Sequence, residues 1–96
     1  MNDRQLYQKK MQAQLDEWKA EAAKLKAKAE QSDADAQLKA RAQARKLEER
    51  IEAGHAKLEE VAATGDDRWE SVKDGFESAW NSLKEGFRDA GEALKR

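Results

Sequence analysis

Apolar residues recur along this chain in steps of three and four residues, and this spacing constrains the fold more than any other feature. The two regular series are Met11, Leu15, Trp18, Ala22, Leu25 and Ala29, and Leu47, Ile51, Gly54, Leu58 and Val61. Such steps place every member on one face of an α-helix, as at the a and d positions of a coiled coil. Between the series, Ser32, Ala36, Ala40 and Ala44 follow in steps of four, which is typical of a stutter in the supercoil.

The composition favours helices and disfavours a large globular core. Charged residues make up 41% of the chain, hydrophobic residues 39%, and proline is absent. Because an ordinary domain has about 25% charged residues, this chain resembles coiled coils and long helices. The sequence therefore predicts an all-α protein.

The helix ends are indicated by capping residues. Asn2 is suited to cap a first helix, because Gln5 follows three residues later as in a capping box. Gly65 is suited to the left-handed residue that ends a helix. Asp66 or Asp67 is suited to cap the helix that follows.

We therefore expect a single coiled-coil domain over residues 1–96, with helix 1 over about 3–63, a turn at about 64–66 and helix 2 over about 66–95. This helical hairpin would assemble into a coiled coil or four-helix bundle. The alternative is a three-helix bundle with a break near Ser32, where serine and aspartate compete with the helical backbone. The continuous helix is favoured because no residue suited to positive φ lies there.

The C-terminal third contains an 11-residue repeat. Residues 69–79 and 80–90 share Trp, Ser, a β-branched or aliphatic residue, Lys, an acid, Gly, Phe and Ala at equivalent positions. A period of 11 keeps one apolar stripe nearly straight along a helix. The stripe consists of Trp69, Val72, Phe76, Trp80, Leu83, Phe87 and Leu94.

A hairpin at Gly65 predicts which residues face one another. In antiparallel geometry the numbers of facing positions sum to about 130, so Phe76 lies near Gly54 and Trp80 near Ile51. Pairing large residues with small ones is how facing helices interdigitate. Helix 2 is therefore expected to pack on residues 35–63.

This hairpin leaves the apolar face of residues 3–33 without an intrachain partner, which predicts a homo-oligomer, either an antiparallel dimer or a tetramer. The predicted interaction seam consists of Met11, Leu15, Trp18, Leu25, Leu47, Ile51, Gly54, Leu58, Val61, Trp69, Val72, Phe76, Trp80, Leu83, Phe87 and Leu94.

Nothing in the sequence indicates catalysis. His55 is the only histidine and cysteine is absent, so no catalytic, metal or cofactor site is expected.

The net charge of −1 disfavours nucleic acid as a partner. The amino terminus lacks a signal-like apolar stretch, so a cytoplasmic protein is expected. A membrane surface is a less favoured partner, because the polar face of helix 2 is slightly acidic. The client protein is unknown.

The segments 14–18, 25–30, 57–60 and 67–75 together resemble a family of small bacterial coiled-coil proteins that are often described as stress-response proteins. The resemblance spans nearly the whole chain and implies a cytoplasmic, stress-linked role without catalytic residues. We therefore expect a non-enzymatic self-association or interaction protein. The alternative is a stress protectant or lipid-surface binder that uses the 11-residue repeat of helix 2.

Overall fold

The computed structural model describes residues 2–95, with side chains described as far as residue 93. It contains three α-helices, α1 (Asp3–Ala29), α2 (Ala34–Ala63) and α3 (Asp66–Lys95). They form a bundle with extents of 53 × 20 × 16 Å. Both α1 and α3 pack closely on α2, and they contact each other less closely. The all-α class is confirmed, and the observed architecture is the three-helix bundle with a break near Ser32.

The start of α1 is the predicted capping box. The Asn2 side chain accepts a hydrogen bond from the Gln5 backbone N–H at 2.9 Å, and the Gln5 side chain accepts one from the Asn2 backbone N–H at 3.2 Å. Two backbone donors that a helix start leaves unpaired are thereby satisfied.

The continuous helix expected over residues 3–63 is wrong, because α1 ends at Ala29 and α2 begins at Ala34. Asp33 caps α2, and its carboxylate accepts a hydrogen bond from the Ala36 backbone N–H at 2.9 Å. The Gln37 side chain donates to the backbone carbonyls of Glu30 at 2.9 Å and Ser32 at 2.8 Å. These bonds satisfy backbone groups that a continuous helix would have paired internally.

The expectation failed because it assumed that a turn needs a left-handed residue. Glu30 ends α1 in the right-handed region, with φ −65° and ψ −16°, and Asp33 is extended, with φ −66° and ψ 171°. No described residue has a positive φ. The absence of glycine between the helices therefore does not prevent this turn.

The second turn lies where the sequence predicts it, at Thr64 and Gly65, but it also lacks a left-handed residue. Thr64 ends α2 in an extended conformation, and its hydroxyl donates to the Glu60 carbonyl at 2.8 Å. A Cβ on Gly65 would lie 2.6 Å from the Asp67 carboxylate. Gly65 therefore makes room for Asp67, which lies with Asp66 in the first turn of α3.

The amino-terminal ends of α1 and α3 are tied together. Arg4 pairs with Asp66 at 2.7 Å, and the Arg4 side chain is largely buried. This contact and the two short turns place the start of α1, the end of α2 and the start of α3 at one end of the bundle.

Candidate functional site

The predicted interaction seam forms the core of a single chain. Its large side chains from all three helices belong to one buried cluster, and Met11, Leu15, Leu47 and Val61 are the most completely buried. Ile51, Val72 and Phe76 are partly buried against this cluster. Leu94, the last predicted member, lies outside the described side chains. The face of residues 3–33 therefore packs on its own chain, and the argument that it requires a second chain no longer holds.

A stack of three aromatic rings joins α1 to α3. Trp18 lies 4.9 Å from Trp80 and 5.1 Å from Phe87 between ring centroids, with interplanar angles of 11° and 13°. Stacked aromatic pairs contribute about 0.5–1.5 kcal/mol beyond the burial of their area. The rings thus connect the two helices whose backbones are least closely packed.

Two members of this core were missed by the sequence reasoning. Tyr7 packs against Trp69, with ring centroids 5.2 Å apart. Its position four residues before Met11 continues the apolar spacing and is the signal that identifies it. Gln14 accepts a hydrogen bond from the indole N–H of Trp80. Gln14 is polar, so no hydrophobic pattern selects it.

Gly54 lies where side chains of α1 and α3 pack against the backbone of α2. A Cβ at this position would lie 3.1 Å from Leu15, 3.3 Å from Trp80 and 3.4 Å from Trp18. The large residue opposite Gly54 is therefore Trp80 rather than the expected Phe76. Helical side chains lean towards the amino terminus of their helix, so Trp80 covers the level one turn before its own Cα. The prediction paired residues by the levels of their Cα atoms and did not include this tilt of the side chains.

The environment of Tyr7 changes its acidity. Burial raises the pKa of the Tyr7 phenol above 10.0, and the nearby negative charge of Glu77 raises the pKa further. Both effects disfavour the phenolate. Tyr7 is the only tyrosine, so its titration reports on the contact between α1 and α3.

A groove runs along the surface between α1 and α3. It has a volume of about 600 Å³, and the edges of Trp18 and Phe87 line it. Charged residues of both signs lie along its two walls: Glu17 and Glu21 on α1, and Lys84, Glu85, Arg88 and Glu92 on α3. Apolar surface flanked by charges is typical of a site that takes another helix.

The fold separates the charges into two halves along the bundle. The acidic half, residues 3–16, 48–63 and 66–82, carries seven basic and twelve acidic side chains. The basic half, residues 17–47 and 83–95, carries eleven basic and eight acidic side chains. The halves are distant in sequence and are assembled by the two turns.

His55 lies on the surface, and its imidazole Nε2 is 3.1 Å from Glu59 one turn later. Among the described residues, no three histidine, cysteine or acidic side chains converge as a metal site would require. Within residues 2–95, no helix has an apolar stretch of the length needed to cross a bilayer.

The 11-residue repeat is confirmed by comparison with known families. Residues 69–79 and 80–90 match the model of a family described as the TMP repeat. The two copies cover less than a quarter of the chain, so the similarity concerns α3 alone. A search of the curated proteins and a search of the solved structures found no match.

Proposed function

We propose that this chain is a non-enzymatic interaction protein, a preformed three-helix bundle whose outer surface associates with further copies of the chain. The observation that carries this proposal is the separation of charge into an acidic half and a basic half. Two such molecules attract when the acidic half of one lies on the basic half of the other. Complementary surfaces of this kind speed association and select orientation.

The charge separation does not favour the isolated chain. α2 has no basic residue in its last turn, where Glu60 lies, although the helix dipole favours cations there. Lys28 of α1 lies in the same half as Lys39 and Arg41 of α2, whereas Lys26 is paired with Glu48 at 2.5 Å. Like charges brought together in this way repel, and a second copy would offset that repulsion.

The solution mass tests this proposal directly. We expect light scattering on a sizing column to give a discrete dimer or tetramer at low ionic strength. Raising the salt to about 1 M should dissociate it, because the Debye length falls to about 3 Å. The mass of a single chain at all protein concentrations and at low salt would contradict self-association.

Lipid binding through α3 is the competing proposal. It is supported by the 11-residue repeat and by the looser packing of α1 on α3, which makes that interface the natural place for the bundle to open. Opening would expose Trp69 and Trp80, which are each only 4% exposed. We expect blue-shifted tryptophan emission without lipid and no change when anionic vesicles are added. A vesicle-dependent change in emission together with monomeric protein would favour the lipid proposal.

A stress-linked role in the bacterial cytoplasm remains a proposal that rests on the family resemblance of segments such as 14–18 and 67–75. It is compatible with a scaffold that acts through its abundance rather than through catalysis. We expect the amount of protein in the soluble cell fraction to rise under the relevant stress. If the amount under heat, osmotic and oxidative stress equals the amount in unstressed cells, that result would argue against the role.

A further inference from the structure

A stripe of charged and polar residues runs along the exposed side of α3 that borders α1. The charged stripe consists of Asp74, Glu77, Asn81, Lys84 and Arg88. All five side chains are exposed, and they follow one another in steps of three, four, three and four residues. This is the spacing by which one helix presents a continuous face to another.

The order of charges within the charged stripe is self-complementary. Two acids come first, Asn81 is in the centre, and two bases follow. Asp74 and Arg88 each lie seven residues from Asn81, while Glu77 and Lys84 lie four and three residues from it. If a second α3 lies antiparallel and crosses at Asn81, each acid faces a base. A parallel α3 would place acid on acid and base on base.

The centre of the charged stripe coincides with the centre of the helix. α3 extends from Asp66 to Lys95, so Asn81 is at its midpoint. Two copies related by a two-fold axis at Asn81 therefore overlap along the full length of α3. The same axis places the acidic half of one bundle beside the basic half of the other, so the local and the overall charge patterns agree.

Arg88 of the charged stripe contacts the carboxylate of Asp89, its neighbour in sequence, at 3.9 Å, and both side chains are about two-thirds exposed or more. The short side chains of Ser78 and Ser82 lie beside the stripe and are also exposed. They leave room for a second helix to approach.

Two pairs of acids are unfavourable in this register. Glu77 and the exposed Glu85 each lie four residues from Asn81, so they approach each other across the axis. Glu70 and Glu92 each lie eleven residues from Asn81, so they face each other across the axis. Glu70 is already paired with Lys73 at 3.2 Å, which reduces the repulsion. All of these pairs occur twice by symmetry. Asp74 attracts Arg88 and Glu77 attracts Lys84, and because Lys84 adjoins Glu85 in sequence it also offsets the repulsion between Glu77 and Glu85.

We propose that α3 pairs with α3 of a second copy of this chain, antiparallel and centred on Asn81, through the charged stripe. This rests on the proposed self-association and specifies its surface and orientation. The groove between α1 and α3 then lies beside the two-fold axis, where the partner covers the edges of Trp18 and Phe87.

Charge reversal on the full-length chain tests the pairing. Asp74→Lys with Glu77→Lys makes the charged stripe basic, and Lys84→Glu with Arg88→Glu makes it acidic. We expect each double variant to raise the dimer dissociation constant at least about tenfold, since like charges facing each other repel. An equimolar mixture of the two, and the quadruple variant that combines them, should both recover dimers because acids and bases again face each other.

The matched control makes the same charge change outside the charged stripe. Glu49→Lys with Glu52→Lys alters two exposed acids of the acidic half on α2 by the same amount. We expect it to change the dissociation constant much less than the basic-stripe variant does. Circular dichroism of every variant checks that the bundle is retained, as expected for exposed positions.

The orientation is measured separately with spin labels on single introduced cysteines, because the chain has no cysteine of its own. Labels at position 81 should lie close together across the axis. Labels at Ser71 should lie about 30 Å apart along the helices, since each is ten residues from the axis and a helix rises 1.5 Å per residue. Short distances at both positions would indicate a parallel pair and overturn the proposal.

The outcomes distinguish the proposed self-association from the proposed pairing of α3 with α3. A wild-type chain that stays monomeric contradicts self-association and this pairing together, and would leave the charged stripe to a helix of another protein. A wild-type dimer that all the stripe variants leave unchanged overturns only the α3 pairing. Loss of the dimer in both double variants, with recovery in the mixture, supports the pairing.

Discussion

Gly54 and Gly75 show that two glycines within helices have different roles. Leu15, Trp80 and Trp18 would crowd a Cβ on Gly54 from within the core, whereas a Cβ on Gly75 would meet no atom within 4 Å. Leu15 is 0% exposed and Trp80 4%, so neither neighbour has room to move. Gly54 is therefore required by packing, while Gly75 has no role in the packing of the chain.

The same substitution should have opposite effects at these two positions. We expect Gly75→Ala to raise the free energy of unfolding by about 0.5–1 kcal/mol, because alanine is the better helix former. We expect Gly54→Ala to lower it by about 1 kcal/mol, because overpacking outweighs that gain. Urea denaturation followed by circular dichroism measures both, and an increase for Gly54→Ala would show that the core can relax.

Tyr7 supplies a prediction about pH. Its phenol has a raised pKa in the folded chain, so folding favours the protonated form. The resulting stability is fully present below the unfolded value of 10.0 and is lost as the pH rises through the folded pKa. We expect the tyrosinate absorbance of the folded chain to appear at a higher pH than in urea.

Replacing Glu77 separates the two causes of this shift. Glu77→Gln should lower the pKa of Tyr7 but leave it above 10.0, because burial is the larger cause and Glu77 the smaller. The control is Glu70→Gln, an exposed acid of α3 that does not contribute to the Tyr7 shift. Equal titration curves for the wild type and Glu77→Gln would rule out the charge contribution.

At the scale of elements, the turn between α1 and α2 is held by the Asp33 cap and by the bonds of the Gln37 side chain. Asp33 accepts the Ala36 N–H at 2.9 Å, and the turn contains no glycine to break the helix by conformational freedom. Without the cap, the segment between Ala29 and Ala34 is flanked by strong helix formers on both sides. This explains why the sequence supports a continuous helix nearly as well as a turn.

Removing the cap should therefore destabilise the bundle at this end. We expect Asp33→Ala to lower the free energy of unfolding by about 1 kcal/mol. The control is Asp35→Ala, which removes an exposed acid of the first turn of α2 that makes no capping bond. Comparable losses in urea denaturation for the two variants would mean that charge near the helix start matters more than the capping bond.

At the scale of the whole molecule, the stability depends on the aromatic stack that closes the bundle. Trp18 contacts both Trp80 and Phe87, and it is 8% exposed. Its replacement would open a cavity where α1 and α3 already pack least closely. The free energy of unfolding of a domain of this size is only about 5–15 kcal/mol, so the loss of one such contact removes a large fraction of that free energy.

We expect Trp18→Ala to lower the free energy of unfolding by about 3–5 kcal/mol, which is the cost of a large-to-small change in a core. The control is Leu38→Ala, which truncates a side chain that is 65% exposed and should change stability by about 0.5 kcal/mol or less. The measurement is denaturant unfolding followed by circular dichroism. A small effect of Trp18→Ala would show that α3 is held by α2 alone.

The sequence by itself determined the all-α class, most residues of the core and the position of the second turn. The steps from Met11 to Leu25 and from Leu47 to Val61 are local patterns, and each specifies one buried face without reference to the rest of the chain. The capping box of Asn2 and the 11-residue repeat are local in the same way. The structure retains all of them because short-range geometry sets both the capping bonds and the helical period.

Only the tertiary structure decided that these faces meet within one chain. A turn at Asp33 and a continuous helix differ locally by about the free energy of one cap. The balance is decided by the burial of Met11, Leu15 and Trp18 on the other helices, at about 1.5–3 kcal/mol for each fully buried side chain. That term depends on contacts between residues far apart in sequence, such as Trp18 with Phe87. The pairing of Trp80 with Gly54 and the two charged halves follow from the same folding back of the chain.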